Sequence, residues 1–204
     1  MPQLHVVIAS TRPGRAGLPI GTWFHDFAAR DGRFGVTLVD LAGVGLPLLD
    51  EPAHPRLRKY EHAHTKAWSA SVSAADAFVF VCPEYNYSAP PALLNALDYL
   101  FHEWHYKPVG FVSYGGASGG MRSVQMTKMV VTSLRMMPLP ESVAIAMFTQ
   151  HLQDGVFKAT EAHEKAGTVL LDELFRWSSA LGALRGQGDG GASPQPVRWR
   201  VDPG

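Results

Sequence analysis

Three short runs of this chain, Leu4 to Ala9 (LHVVIA), Ala77 to Cys82 (AFVFVC) and Pro108 to Tyr114 (PVGFVSY), are apolar at almost every position. A strand with one wet face alternates apolar and polar residues, so uninterrupted apolar runs of this length are buried on both faces. Phe34 to Leu41 (FGVTLVDL) and Val143 to Met147 read as two more strands. Helix-length segments separate them. From Leu18 to Ala29 the apolar residues Ile20, Phe24, Phe27 and Ala28 recur at helical spacing, and a polar, His-bearing helix is expected from about Leu57 to Ala74. Pro90 and Pro91 mark the start of an amphipathic helix from Ala92 to Trp104. Met121 to Met136 reads as a further helix, and Lys158 to Leu184 contains the last one. Connections of this length join parallel neighbours, so the expected fold is α/β: five parallel strands with helices on both faces.

At 204 residues the chain suits one such domain, expected over residues 1–185, and its 46% hydrophobic content is enough for a sizeable core. Eighteen basic residues balance eighteen acidic ones, and no run of Lys and Arg occurs, so nothing draws the protein to nucleic acid or to a membrane surface. The single cysteine, Cys82, rules out an intramolecular disulfide framework and fits a reducing compartment. The first residues lack the charged and apolar regions of a signal peptide, and no apolar run reaches the roughly 18–20 residues of a membrane span. A soluble, cytoplasmic protein is expected. Gly186 to Gly204, rich in Gly, Pro, Gln and Asp, reads as a mobile tail.

In an open parallel sheet, ligands bind at the crevice formed by loops leaving the carboxyl ends of the strands. Three such loops are unusual in composition. Ser10-Thr11-Arg12-Pro13-Gly14-Arg15-Ala16-Gly17 joins a buried strand to a helix. Its amides and the helix dipole favour an anion, Ser10 and Thr11 offer hydroxyls, and Arg12 and Arg15 offer forked donors for phosphate oxygens. It lacks the Gly-Lys-Ser/Thr ending of a P-loop. Solvated surface charge is the competing reading. Pro83-Glu84-Tyr85-Asn86-Tyr87-Ser88-Ala89-Pro90-Pro91 brings tyrosine faces that stack on a flat ring and an amide that reads its edge, unless it is only a tyrosine-capped turn. Ser113-Tyr114-Gly115-Gly116-Ala117-Ser118-Gly119-Gly120 lets backbone approach a planar ligand, or forms a tight turn; its glycine order is not a dinucleotide fingerprint.

Together these loops resemble those of the NAD(P)H-dependent FMN reductase family, the flavodoxin-like group that includes quinone, azo-dye and chromate reductases. The likeness lies in Ala9-Ser10-Thr11-Arg12-Pro13-Gly14-Arg15, in the PEYN segment from Pro83 with Leu93-Leu94-Asn95-Ala96-Leu97-Asp98 after it, and in Lys107-Pro108-Val109 leading to Ser113-Tyr114-Gly115-Gly116. The resemblance implies a doubly wound sheet of order 2-1-3-4-5, an FMN cofactor, and NADPH or NADH as hydride donor. It assigns Ser10, Thr11, Arg12, Arg15, Gly17, Leu18, Pro19 and Ile20 to the FMN phosphate. Pro83, Glu84, Tyr85, Asn86 and Tyr87 fall around the isoalloxazine, and Ser113, Tyr114, Gly115, Gly116 and Gly119 at its other edge. It further implies ping-pong reduction of a small acceptor, and a homodimer or homotetramer with flavin sites near the subunit interface. The flavin then carries the chemistry, so no catalytic acid, base or triad is named. The chain departs from many relatives at Ala9, where they have Gly, at Arg15 and Gly17, where they have Ser or Asn, and at Leu94, where they have Lys.

Two other readings compete: a flavodoxin-like electron carrier without a nicotinamide site, against which the low acidic content speaks, and a flavin-free hydrolase using Ser10 with Asp154 and His151. Cys82 on an apolar strand reads as core rather than nucleophile. His62 and His64, two apart, point to different helix faces, while His102 and His105 share one; without matching ligands no metal site is expected. The methionines at 121, 126, 129, 136 and 137 read as core or interface. Tyr99, Phe101, Trp104 and Tyr106 read either as interior packing or, as the dimer implied by the resemblance favours, as an exposed aromatic patch at a subunit interface.

Overall fold

The computed structural model describes residues 1–186. Five strands form one parallel sheet in the order β2-β1-β3-β4-β5. They are β1 (Gln3–Ile8), β2 (Gly35–Asp40), β3 (Ala77–Pro83), β4 (Pro108–Tyr114) and β5 (Met137–Ile145). Every residue of β3 and β4 is buried, as their unbroken apolar runs require. The helices are α1 (Gly17–Asp31), α2 (Leu41–Val44), α3 (Ala63–Ala74), α4 (Pro91–Asp98), α5 (Met121–Ser133) and α6 (Glu161–Gly186).

Two cores lie on opposite faces of the sheet. Leu4, Val6, Val79, Val81 and Val112 pack against Ile20 and Phe24 of α1 and Leu170 and Leu174 of α6. Val7, Phe78, Phe80 and Phe111 pack against Trp68 of α3, Leu93 and Leu97 of α4, and Val124 of α5. Neighbouring residues of β1 thus serve different faces, as the pleat dictates.

Several boundaries differ from expectation, each for a local reason. The helix expected from Leu57 begins only at Ala63: a 3-10 turn over Pro55–Leu57 ends at Arg58 in a left-handed conformation (φ 52°), and Leu57 remains 58% exposed. The helix expected to reach Trp104 ends at Asp98. Its last carbonyls are satisfied from outside, the Trp68 indole donating to Ala96 O (2.9 Å) and the Trp104 indole to Leu97 O (3.2 Å). A 3-10 turn over His102–Trp104 then drives Trp104 into the core beside Phe78. Trp104 and Tyr99 are buried, so the expected exposed aromatic patch does not form.

α5 stops at Ser133 rather than Met136, with Arg135 left-handed (φ 57°). β5 starts at Met137, six residues before the expected strand, because an edge strand with a register shift tolerates Pro138 and Pro140. A small hairpin, β6 (Leu152–Gln153) and β7 (Val156–Phe157), was not expected. Its Asp154-Gly155 turn has both residues left-handed (φ 50° and 76°), the geometry that Asp-Gly favours, and Phe157 packs on Trp23. The tail expected from Gly186 onward lies, beyond Gly186 itself, outside the described residues.

At the amino end of the sheet Lys107 is buried. Its ammonium donates to Val72 O (2.7 Å) and Ser73 O (3.3 Å), closing the end of α3. Burial, with Arg185 adding to it, pushes the Lys107 pKa from 10.5 down to about 7. Between about pH 7 and 10.5 the unfolded chain therefore binds more protons at this residue than the fold does, and its contribution to stability rises with pH across that window. Lys107→Met should flatten that rise in urea-unfolding midpoints measured from pH 7 to pH 10. Identical slopes in the two proteins would show that Lys107 titrates normally.

Candidate functional site

All five strands run parallel, so β1, β3 and β4 deliver their following loops to one rim. The loops are joined there. Tyr114, the last residue of β4, donates its hydroxyl to Ser10 Oγ after β1 (3.1 Å), and its carbonyl accepts from Glu84 N after β3 (3.3 Å). Both Ser10 and Tyr114 are buried, and burial raises the Tyr114 pKa despite its bond to Ser10. A Cβ on Gly17 would collide with Ser10 Oγ and stand 2.7 Å from the Tyr114 hydroxyl. Only glycine lets the helix start approach this pair so closely.

In the first loop, Thr11 and Arg12 are exposed, as are Pro13 and Gly14. α1 starts without a side-chain cap and with no acidic residue in its first turn, which leaves its positive end to an anion. Leu18 and Pro19 are half-buried in that turn, and Ile20 packs its side chain in the core. Arg15 has a different surrounding. Its guanidinium is buried against Asp40, which also caps α2 by accepting from Ala42 N (3.1 Å). The pair ties the loop after β1 to the end of β2. Asp40 was not singled out in the sequence, although an Asp before a helix start is a cap signal.

In the second loop, Tyr85 and Ser88 exchange backbone hydrogen bonds (3.1 and 2.9 Å) around Asn86 and Tyr87, both left-handed (φ 51° and 67°). This is a two-residue hairpin turn. Asn suits its first position; the second favours glycine, and a left-handed non-glycine residue costs about 1–2 kcal/mol. Pro83 is buried as the last residue of β3, Tyr85 is half-buried and Asn86 is exposed. Tyr87 is 69% exposed, with the Arg122 guanidinium 3.8 Å from its ring centre. Glu84 turns to α5, accepting from Ser118 Oγ (2.9 Å), Arg122 N (3.2 Å) and Arg122 Nε (2.6 Å). Burial pushes its pKa up, but these donors outweigh it and hold the carboxyl below its usual range.

The glycine turn folds on itself. Ser113 Oγ donates to Gly119 O (2.7 Å), and a Cβ on Gly120 (φ 82°) would lie 2.8 Å from Tyr114 N. Gly115 is half-buried, and its Cβ would meet Gly120 N at 2.9 Å; Gly116 faces open space. Much of the glycine content thus serves the turn, with Gly116 left facing outward.

Beside Thr11 lies a hollow of about 480 Å³, lined also by Leu41, Leu48, Pro91, Ala92 and Asn95. Asn95 holds its outer wall as a backbone mimic: Nδ2 donates to Pro47 O (2.7 Å) and Oδ1 accepts from Leu49 N (2.9 Å). Asp50, next along, accepts from the Tyr99 hydroxyl (2.8 Å) and contacts His64 Nε2 (2.9 Å). His62 and His64 do not diverge, because His62 precedes the helix; their rings stack 5.2 Å apart over Asp50. The rings of His102 and His105 stand 5.1 Å apart, in the 3-10 turn. Among the described residues no group of three His, Cys, Asp or Glu side chains is placed to hold a metal ion. Cys82 is fully buried, and burial pushes its thiol pKa up, as for a core residue. Ser10 is bonded to Tyr114, and His151 packs on Phe157 and His163, which gives the hydrolase reading no triad.

A crevice at the point where strand order reverses, with an uncapped helix end and open backbone around it, defines a flavodoxin-like α/β protein. Residues 2–150 match the family described as NADPH-dependent FMN reductase, and the chain belongs to that family. It is 39% identical over 157 residues to an NAD(P)H-dependent FMN reductase of Schizosaccharomyces pombe, covering 76% of this chain and 78% of the relative. A probable NADPH:quinone oxidoreductase of rice is 35% identical over 141 residues, 65% of this chain and 70% of that one. Among solved structures, the NAD(P)H:(acceptor) oxidoreductase FerB of Paracoccus denitrificans superposes with a TM-score of 0.70 at 18% identity, over 88% of this chain and 98% of that one, a likeness of fold. The protein is therefore an oxidoreductase whose cofactors are FMN and NAD(P)H. No helix among the described residues is long and apolar enough to cross a membrane.

The residues present fit FMN: open loop donors, an uncapped helix end and an outward-facing Gly116 share one rim. Gly17→Ala should push Ser10 and Tyr114 apart and destabilise the fold by about 1–3 kcal/mol. Urea unfolding measures it, and an unchanged midpoint would mean the rim has slack that the close approach denies.

Proposed function

We propose that this enzyme takes a hydride from NADPH or NADH onto FMN and uses its two electrons to reduce a small acceptor such as a quinone, azo dye, metal oxyanion or free flavin, with ping-pong kinetics. The reading rests on one observation: the three loops after β1, β3 and β4 are bonded to one another at a single rim, through Tyr114, Ser10 and Glu84. Residues 1–185 act as one flavin-binding domain in this reading.

FMN, when bound, would supply a ring that stores the two electrons of a hydride and returns them to the acceptor. The chain supplies position. Arg12, Thr11 and the first turn of α1 (Gly17, Leu18, Pro19, Ile20) hold the phosphate, with Ser10 shaping the loop beneath. Arg15 acts one step back, through Asp40. The backbone amide of Asn86, framed by Pro83, Glu84, Tyr85 and Tyr87, holds one edge of the ring, while Tyr85 donates its own to Ser88. Gly116 brings its amide to the other edge, set by Ser113, Tyr114, Gly119 and Gly115, whose own amide is held by Ile145 O (3.2 Å); a donor there stabilises charge that develops on reduction. The hollow beside Thr11, walled mainly by small apolar groups, supports a small, flat acceptor. Leu48 beside it and Met121 and Met129 on α5 stay exposed, which supports a homodimer or homotetramer; sedimentation of the purified protein tests that state.

The protein should purify yellow, or turn yellow on adding FMN, and its colour should bleach when NADPH or NADH is mixed in without oxygen. Bound flavin that resists both nucleotides would make it a carrier, and protein that takes up no FMN would end the reading. Arg12→Ala should weaken FMN binding by about 1.5–3 kcal/mol, the scale of a charged hydrogen bond, in a fluorescence titration. Unchanged affinity would remove Arg12 from the phosphate site.

A further inference from the structure

We propose that Arg122 is a positioning residue for the flavin: by clasping Glu84 and covering Tyr87 it holds the Tyr85–Ser88 hairpin in the form that faces the ring. The inference rests on the FMN reading above and adds to it a residue 38 positions away from the hairpin's anchor. The turn needs such a device. Asn86 and Tyr87 are both left-handed, and Tyr87 occupies the position that prefers glycine. Its own backbone bonds do not explain why it holds. What surrounds it does.

Glu84 stands at the base of the hairpin with its side chain only 7% exposed. A carboxylate so placed must be paired and hydrogen-bonded or it moves out to water. Its donors are Ser118 Oγ and the amide and guanidinium of Arg122. Ser118 sits in the glycine turn and Arg122 in the first turn of α5, so Glu84 binds the loop after β3 to the loop after β4 on the outer side. The same guanidinium that pairs with Glu84 lies over the Tyr87 ring, and Ser88 Oγ points to Met126 Sδ one turn further along α5. A planar, forked cation does both tasks at once: two of its nitrogens meet the carboxylate while its face meets the ring. Lysine, a point charge, does not. Without the clasp the strained turn is free to relax, and the Asn86 backbone at its tip leaves the ring's edge.

The test is titration of the FMN-free protein with FMN, followed by quenching of flavin fluorescence, in wild type, Arg122→Lys, Arg122→Met, Glu84→Gln and the Glu84→Gln/Arg122→Met double variant. Arg122→Met should weaken binding roughly ten-fold or more, Glu84→Gln by a similar factor, and the double variant no further than the worse single, because both remove one clasp. Arg122→Lys should recover only part of the loss. The visible absorption band of the bound flavin should shift in the Arg122 variants, where ring contacts change, and stay as in wild type in Arg12→Ala, where only the phosphate is touched. Wild-type affinity and spectrum in Arg122→Met and Arg122→Lys would overturn the proposal, as would losses in Glu84→Gln and Arg122→Met that multiply. Should Arg122→Met fail to fold by circular dichroism, Arg122→Lys and Glu84→Gln carry the same comparison. Wild-type protein that binds no FMN defeats the flavin reading and the clasp together; wild-type protein that binds it beside variants that bind equally well defeats the clasp alone.

Discussion

β1, β3 and β4 are buried on both faces, and a strand so buried returns to its parallel neighbour only through a helix laid across the sheet. Every strand therefore ends at the same rim and begins at the opposite one. This single constraint separates the molecule's two ends. At the amino end polar groups are tucked away for structure, as with Lys107 on the last carbonyls of α3. At the carboxyl end three loops are forced together, and the uncapped end of α1 opens between them.

Proximity alone leaves loops mobile, and the rim is held by two ties. On the inside, Tyr114 reaches Ser10 across the place where Gly17 has no side chain. On the outside, Glu84 gathers Ser118 and Arg122. The inner tie is neutral and buried; the outer one is charged and half-open to water, where such pairs are weak unless several donors converge on one acceptor. They leave backbone amides and an uncapped helix end facing the crevice. For a cofactor that brings its own chemistry, a rigid frame of donors is what the protein has to provide.

The second face of the sheet shapes the neighbourhood of the crevice. Trp68 and Trp104 end α4 early by taking its last carbonyls, and Tyr99 and Asn95 then anchor the segment after α2 against that short helix. The hollow beside Thr11 exists because this segment is held away from Pro91 and Ala92 instead of collapsing on them. Aromatic residues that read as an interface patch are, in large part, the core pillars that set this wall.

By itself the sequence determined β1, β3 and β4, because an unbroken apolar run has one stable home, and Pro108 to Tyr114 matches β4 residue for residue. It also drew attention to three loops, since Gly, Pro, Arg and Tyr are dense after β1, β3 and β4. The tertiary structure alone decided partners. Arg15 resembles Arg12 in sequence, yet one is buried on Asp40 and the other open, because burial depends on what β2 brings near. His62 and His64 stack because the helix starts after the first of them, and Tyr87 is covered by an arginine that no local spacing announces. Periodicity is a property of neighbours along the chain; a pairing across 38 residues is decided only when the sheet has closed the distance.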